Sequence, residues 1–194
     1  MKPPAVIFTL MFLAVLETAS FSGPNADPAV FGALRLPGYY CLLGPHVEYG
    51  SVTRGEPGDA DRHASAAGLS LQFTYDDPRN FGASLLGDAS YEFGGDSCRG
   101  RYGLELHVKN RLLVRYPETR FSMALRGGGI IRSGDGTGKG VFYGIGIFFP
   151  DLAWTQKHPF VYALYVERNH YLDNGKTRRI ELTGQIKVQY RLKL

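Results

Sequence analysis

RIELTGQIKVQYRLKL, residues Arg179–Leu194, alternates to its last position. Ile180, Leu182, Gly184, Ile186, Val188, Tyr190, Leu192 and Leu194 are apolar or glycine, and Glu181, Thr183, Gln185, Lys187, Gln189, Arg191 and Lys193 lie between them. Successive side chains of a strand point to opposite faces, so the pattern is one long strand with an apolar and a polar side. Its inside is open to two readings. In a soluble sandwich or lipocalin-like barrel the apolar side makes the core; in a membrane barrel it meets lipid and the polar side fills the lumen.

The chain is 194 residues long, enough for one domain with a proper core. Met1-Lys2, the apolar run Ala5 to Leu16 and the small or polar residues that follow have the layout of a secretory signal peptide. The run is shorter than the roughly 20 residues that a transmembrane helix needs. Cleavage is expected near Ser22/Gly23, with Ala19 the other candidate, so the organisation reads as signal peptide 1–22, lead-in 23–38 and barrel domain 39–194. Export permits disulfides, and Cys41 and Cys98 allow one bridge. Cys41 falls inside a strand and Cys98 in a loop, which favours two thiols. The net charge of +4 is interspersed with acids, so it reads as a polar surface facing anionic lipid and not as a nucleic-acid footprint.

Turn signals divide the mature chain into eight strand-like segments, at 39–52, 64–75, 81–94, 101–116, 120–133, 140–149, 159–171 and 178–194. Most exceed the five or six residues usual in globular strands, and several exceed the roughly 9–11 that cross a bilayer at a tilt. The alternation repeats: Tyr102, Leu104, Leu106 and Val108 oppose Glu105, His107 and Lys109, and Phe81, Ala83, Leu85, Ala89, Tyr91 and Phe93 oppose Ser84, Asp88, Ser90 and Glu92. TRGEPGDADRH, GGDSCRG, SGDGTGKG and LDNGKT fall at one end of the strands; DDPRN, YPETR and PDLAWTQKH fall at the other. Two of the latter three are short, as periplasmic turns are. Aromatic girdles are expected from Tyr75, Phe81, Tyr116, Phe149, Trp154 and Tyr190 below and from Tyr91, Phe93, Tyr102 and Tyr171 above.

Large apolar residues fill the stripes in every segment, more than an eight-stranded interior could hold, which favours lipid outside. The polar faces mix long charged side chains with Gly68, Gly82, Gly103, Gly128, Gly144 and Gly146, which leave them room. Glu48, Asp88, Glu92, Glu105, Lys109, Arg111, Arg126, Arg132, Glu167, Glu181, Lys187 and Arg191 are then expected to face the lumen. Buried charges must pair, so they form a salt-bridged plug and not a pore. The fold expected is an all-β, eight-stranded antiparallel up-and-down transmembrane barrel.

With that layout on the page, the chain resembles small eight-stranded bacterial outer-membrane barrel proteins of the OmpX and OmpA-barrel kind. Val188, Tyr190, Leu192 and Leu194 look like the terminal signal read by the barrel-assembly machinery, with Leu194 where that signal usually has Phe. The resemblance implies residence in the outer membrane as a monomer, among lipid and lipopolysaccharide, with a structural, adhesive or lipopolysaccharide-interacting role.

The chemistry-bearing motifs are few. SGDGTGKG, Ser133 to Gly140, lacks the spacing and the Ser or Thr of a phosphate loop and reads as a hairpin connection. RNHYLDNG, Arg168 to Gly175, is similar over about a dozen residues to the motif of PagL-like lipid A deacylases, which implies His170 and Glu181 as base and acid. Leu172 stands at the nucleophile position and cannot attack an ester. The milder reading gives Arg168, His170 and Arg178 to lipopolysaccharide phosphates. His46, His107 and His158 make no metal spacing, and no cofactor is expected.

Overall fold

The structure is a computed structural model that describes residues 38–54, 63–76, 81–93, 97–109, 122–134, 138–149, 159–173 and 176–194. The expected signal peptide, all but the last residue of the lead-in, and Arg111, Tyr116, Trp154 and His158 lie outside these residues. So do the side chains of Lys109 and Arg178.

Eight strands follow one another: β1 (Gly38–Arg54), β2 (His63–Asp76), β3 (Phe81–Phe93), β4 (Ser97–Lys109), β5 (Ser122–Ser133), β6 (Gly138–Phe149), β7 (Phe160–Asp173) and β8 (Lys176–Lys193). Each pairs antiparallel with its neighbour in sequence, and β1 pairs with β8, closing the barrel. Closure leaves no edge strand, the condition a sheet must meet in lipid. The Leu194 backbone N–H donates to Tyr39 O at 2.9 Å, carrying the β1–β8 seam to the end of the chain.

The alternation dictates the two faces of the wall. Buried and exposed positions alternate along β3 almost without a break, from exposed Phe81 through buried Gly82 to exposed Phe93. Leu69, Leu85 and Leu104 point outward at 63%, 62% and 65% exposure, whereas Gln72, Gln189 and Lys187 inside are at most 0% exposed. A soluble barrel would have these the other way round. The lipocalin-like alternative therefore fails, and the exterior is the apolar band of a lipid-facing barrel.

Aromatic residues mark both rims of this band. Below, Tyr39 pairs with Tyr75 at 5.3 Å between ring centroids and Phe160 with Tyr190 at 5.6 Å. Above stand Tyr91, Phe93 and Tyr102. Tyr171, expected in the upper girdle, instead points inward and is buried, its hydroxyl donating to Glu181 at 3.4 Å. Its odd number on β7 shares the lumen face with Glu167 and Asn169.

One segment differs more from expectation. β4 begins at Ser97, four residues before the expected start, so Cys98 lies in a strand and not a loop. Cys98 faces outward near the upper end of β4, and Cys41 is near the lower end of β1; both are free. The Gly, Asp and Ser of GGDSCRG have turn composition, but Ser97 and Arg99 point into the lumen and are held there by polar partners.

Candidate functional site

The lumen is filled by side chains from all eight strands. Its lower part holds an apolar cluster of Tyr40, Leu42, Ala124, Phe148, Val161, Ala163 and Tyr165 beside buried Gln72, Thr74, Ser84 and His107. A smaller cluster of Leu86, Ile130, Phe142 and Tyr171 lies toward the upper end. Between and around them runs an ionic network.

Glu48 is its hub. The carboxylate accepts from Arg99 Nη1 at 2.9 Å, Arg101 Nη2 at 2.9 Å, His46 Nε2 at 3.0 Å and Gln185 Nε2 at 3.1 Å, and it also meets Arg101 Nη1. Arg101 reaches on to Glu167 through Nε at 3.3 Å. Glu167 pairs with Arg126, which bonds Gln185 and stands 3.7 Å from Asp88. Lys187 donates to both oxygens of Asp88, at 2.7 and 2.9 Å, and to Ser70 Oγ at 2.9 Å. Above the hub, Arg99 bonds Glu181 at 3.0 Å, Arg132 bonds Glu92 at 2.8 Å and Arg179 Nε lies 2.8 Å from Glu181. Below it, Gln72 donates to Glu105 at 3.1 Å, and His107 Nε2 lies 2.9 Å from the same carboxylate.

The signs balance. Among the described residues the buried carboxylates are Glu48, Asp76, Asp88, Glu92, Glu105, Glu167 and Glu181, seven in all, against five buried cations, Arg99, Arg101, Arg126, Arg132 and Lys187. The half-buried Arg179 and Arg191 on the same face bring the cations to seven. Taking one charge from water costs several kcal/mol, so mutual compensation is what allows so many to be buried.

Small residues make room for the large ones. The Tyr165 ring lies against Gly146, where a Cβ would also come within 2.7 Å of Leu164 O. That ring in turn carries the Arg126 guanidinium 3.7 Å from its centroid, a cation–π contact. Gly103 and Gly128 face each other across β4 and β5, where a Cβ on Gly103 would stand 2.9 Å from Gly128 Cα.

Of the expected lumen residues, the structure brings together Glu48, Asp88, Glu92, Glu105, Arg126, Arg132, Glu167, Glu181 and Lys187. Arg191 lies at the lower mouth, its guanidinium 5.2 Å from the Tyr40 ring centroid. Arg99 and Arg101, the chief partners of Glu48, were absent from the expectation: Arg99 stands in GGDSCRG, which reads as a turn, and Arg101 is the first residue of the expected fourth segment and was not assigned to the lumen. Had the odd-numbered parity of Gly103, Glu105 and His107 been extended backward, it would have found both.

Outside, Arg168 is exposed and His170 half-buried, both on the outward face of β7. His170 stacks on Tyr143 at 5.4 Å, with Nε2 3.2 Å from the tyrosine hydroxyl. Glu181 is inside, bonded to Arg99, and it pairs across the strands with Asn169. The base and acid of the deacylase alternative are thus on opposite faces of the wall, and Leu172 is exposed beside the base. Val188, Tyr190 and Leu192 line the outward face of β8, and Leu194 follows it, exposed.

Comparison with known proteins bears on the fold. No protein-family model matches the chain, and no curated relative matches its sequence. Among solved structures, Ail, the attachment invasion locus protein of Yersinia pestis, in complex with the heparin analogue sucrose octasulfate, superposes with a TM-score of 0.52 at 14% identity, over 80% of this chain and 99% of that one. Ail without the analogue gives 0.50 at 15% identity, over 81% and 100%. Neisserial surface protein A gives 0.49 at 10% identity, over 81% and 97%. At such identities the likeness is one of architecture: the chain has the eight-stranded closed barrel fold of Ail.

Proposed function

We propose that the chain is an outer-membrane β-barrel, exported behind a signal peptide at 1–22 and a lead-in at 23–38, that acts as a non-catalytic structural, adhesive or lipopolysaccharide-interacting protein. The observation that carries this reading is the two-faced wall: large apolar side chains outward on every strand, and compensated charges buried on the inside. Such a barrel is stable in lipid, and its packed lumen opposes the passage of ions. The outward Val188, Tyr190, Leu192 and Leu194 are available to the assembly machinery, and the working unit is taken as a monomer. Arg168 brings a guanidinium and His170 an imidazole nitrogen to the upper outer wall for lipopolysaccharide phosphates, and the sequence adds Arg178 to that set. The Ail complex with a heparin analogue makes a polyanion a reasonable partner for a barrel of this shape.

Fractionation of a Gram-negative host expressing the full chain tests this. The protein is expected in the outer-membrane fraction, migrating faster on a gel before heating than after. Recovery wholly in the soluble fraction would sink the reading. Planar-bilayer recording is expected to give no steady conductance; ohmic channels would refute the closed lumen.

A further inference from the structure

Among the described residues, the outward positions of the eight strands carry no acidic side chain. Their only charged side chains are Lys139 and Arg168, and the only outward histidines are His63 and His170. Apart from His63, these groups gather on one sector of the wall, the upper half of β6 and β7. Lys139 is opposite Leu172, Val141 opposite His170 and Tyr143 opposite Arg168. Lys139 is therefore diagonal to His170, and His170 diagonal to Tyr143, spacings of about 7–8 Å that long side chains bridge.

Arg168 decides what such a strip faces. Its neighbours across the strands are Tyr143 and Leu182, and Val166 precedes it on the same face. It lies five residues below Asp173 and eight above Phe160. With about 3.3 Å per residue on a strand tilted about 40°, that is roughly 12 Å beneath the upper end and 20 Å above the lower. Counted from the lower end, a guanidinium there is about 5 Å inside the upper edge of an apolar band about 25 Å tall, within reach of the interface for a long side chain or of an anion that comes to it. Tyr143 adds a hydroxyl donor and orients His170 through the 3.2 Å contact.

We propose that Lys139, Tyr143, Arg168 and His170 form a binding site for the phosphate of one phosphorylated glycolipid, held from the side by a molecule in the surrounding leaflet. The proposal rests on the membrane reading above and deepens it: the lipid lies against the wall between β6 and β7 and does not descend onto the loops as a soluble polyanion would. Lys139 and Arg168 supply charge, with Arg168 able to grip two phosphate oxygens at once, and the hydrogen-bonded Tyr143–His170 pair supplies a shorter-range donor. The apolar outward residues beneath them, Ile145, Ile147, Leu164 and Val166, offer a bed for acyl chains.

The test is native mass spectrometry of the full chain extracted from membranes into neutral micelles. The micelles are doped in turn with rough lipopolysaccharide, the same glycolipid stripped of phosphate, and phosphatidylglycerol; soluble heparin is added as competitor. The phosphorylated glycolipid is expected to bind the wild type in preference to the stripped form and to phosphatidylglycerol, and heparin is expected not to displace it. Removing either cation, in Lys139→Ala or Arg168→Gln, should weaken it about fivefold and the double variant ~30-fold, at about one surface charge's worth each. His63→Ala, on the far side of β1, should change nothing. Equal binding by the double variant, or equal binding of the stripped glycolipid, would overturn the site while a heat-modifiable outer-membrane protein leaves the barrel reading standing. Displacement by heparin would also overturn it, assigning the charge to a soluble polyanion. A wild type absent from the membrane fraction would end both.

Discussion

Arg126 and Arg168 are the same residue on two sides of one wall. Arg126, on β5, points in at 4% exposure against Glu167, Gln185 and the face of Tyr165. Arg168, on β7, points out between Tyr143 and Leu182. The first is an organising element, since its removal leaves carboxylates buried without their cation. The second can be removed without stranding any group among the described residues. An ionic side chain is thus fixed by what depends on it more than by its own cost of burial.

The contrast can be broken at its strongest point. Glu48→Ala would leave Arg99 and Arg101 without their shared carboxylate, and the loss is expected to be about 3–5 kcal/mol, read as a lowered guanidinium midpoint of the barrel refolded in liposomes. A midpoint within error of wild type would mean that the hub contributes little. On the outer face, Leu104→Arg puts a charge in mid-band and should cost roughly 2–4 kcal/mol in the same assay. A cost near zero there would mean that β4 does not face lipid. Arg168→Leu sharpens the comparison from the other side: a change of at most about 1 kcal/mol, toward greater stability, is expected in liposomes of zwitterionic lipid. A loss of several kcal/mol would show that Arg168 has a structural partner after all. Smallest of all, Cys98→Ser should stay within about 0.5 kcal/mol of wild type. Non-reducing electrophoresis should show no internal crosslink, because Cys41 and Cys98 lie at opposite ends of strands that are three apart in the ring, beyond the Cα separation a disulfide spans.

How far the sequence revealed this depends on which side of the wall is considered. Period-two alternation is a property of the backbone, so the strand count, the ring order and the polar inside were legible wherever the pattern ran clean, as through Phe81–Phe93 and Arg179–Leu194. It fails where both faces are apolar. Ile145, Gly146, Ile147, Phe148 and Phe149 cannot declare by composition that Phe148 is the one turned inward, and the lower core went unforeseen. It also fails where turn-forming residues continue a strand, which hid Arg99 and left Arg101 at the first position of its expected segment. The outer strip was half legible: Arg168 and His170 were named, but Lys139 sits in a Gly-rich stretch that reads as a loop, and only the β6–β7 register brings it beside them.

The seam between β1 and β8 has a consequence for how the barrel is made. Every other pairing joins strands that are neighbours along the chain, whereas Tyr40 waits for Lys193. Contacts so distant in sequence are the slow ones to form, because the intervening chain must first be confined. Until β8 arrives, β1 is an open template with a row of unsatisfied amides, able to recruit the wrong strand from another molecule. The interval between the first strand's appearance and the last strand's docking is therefore when this protein is most exposed to misassembly, and shortening β8 would prolong it without limit.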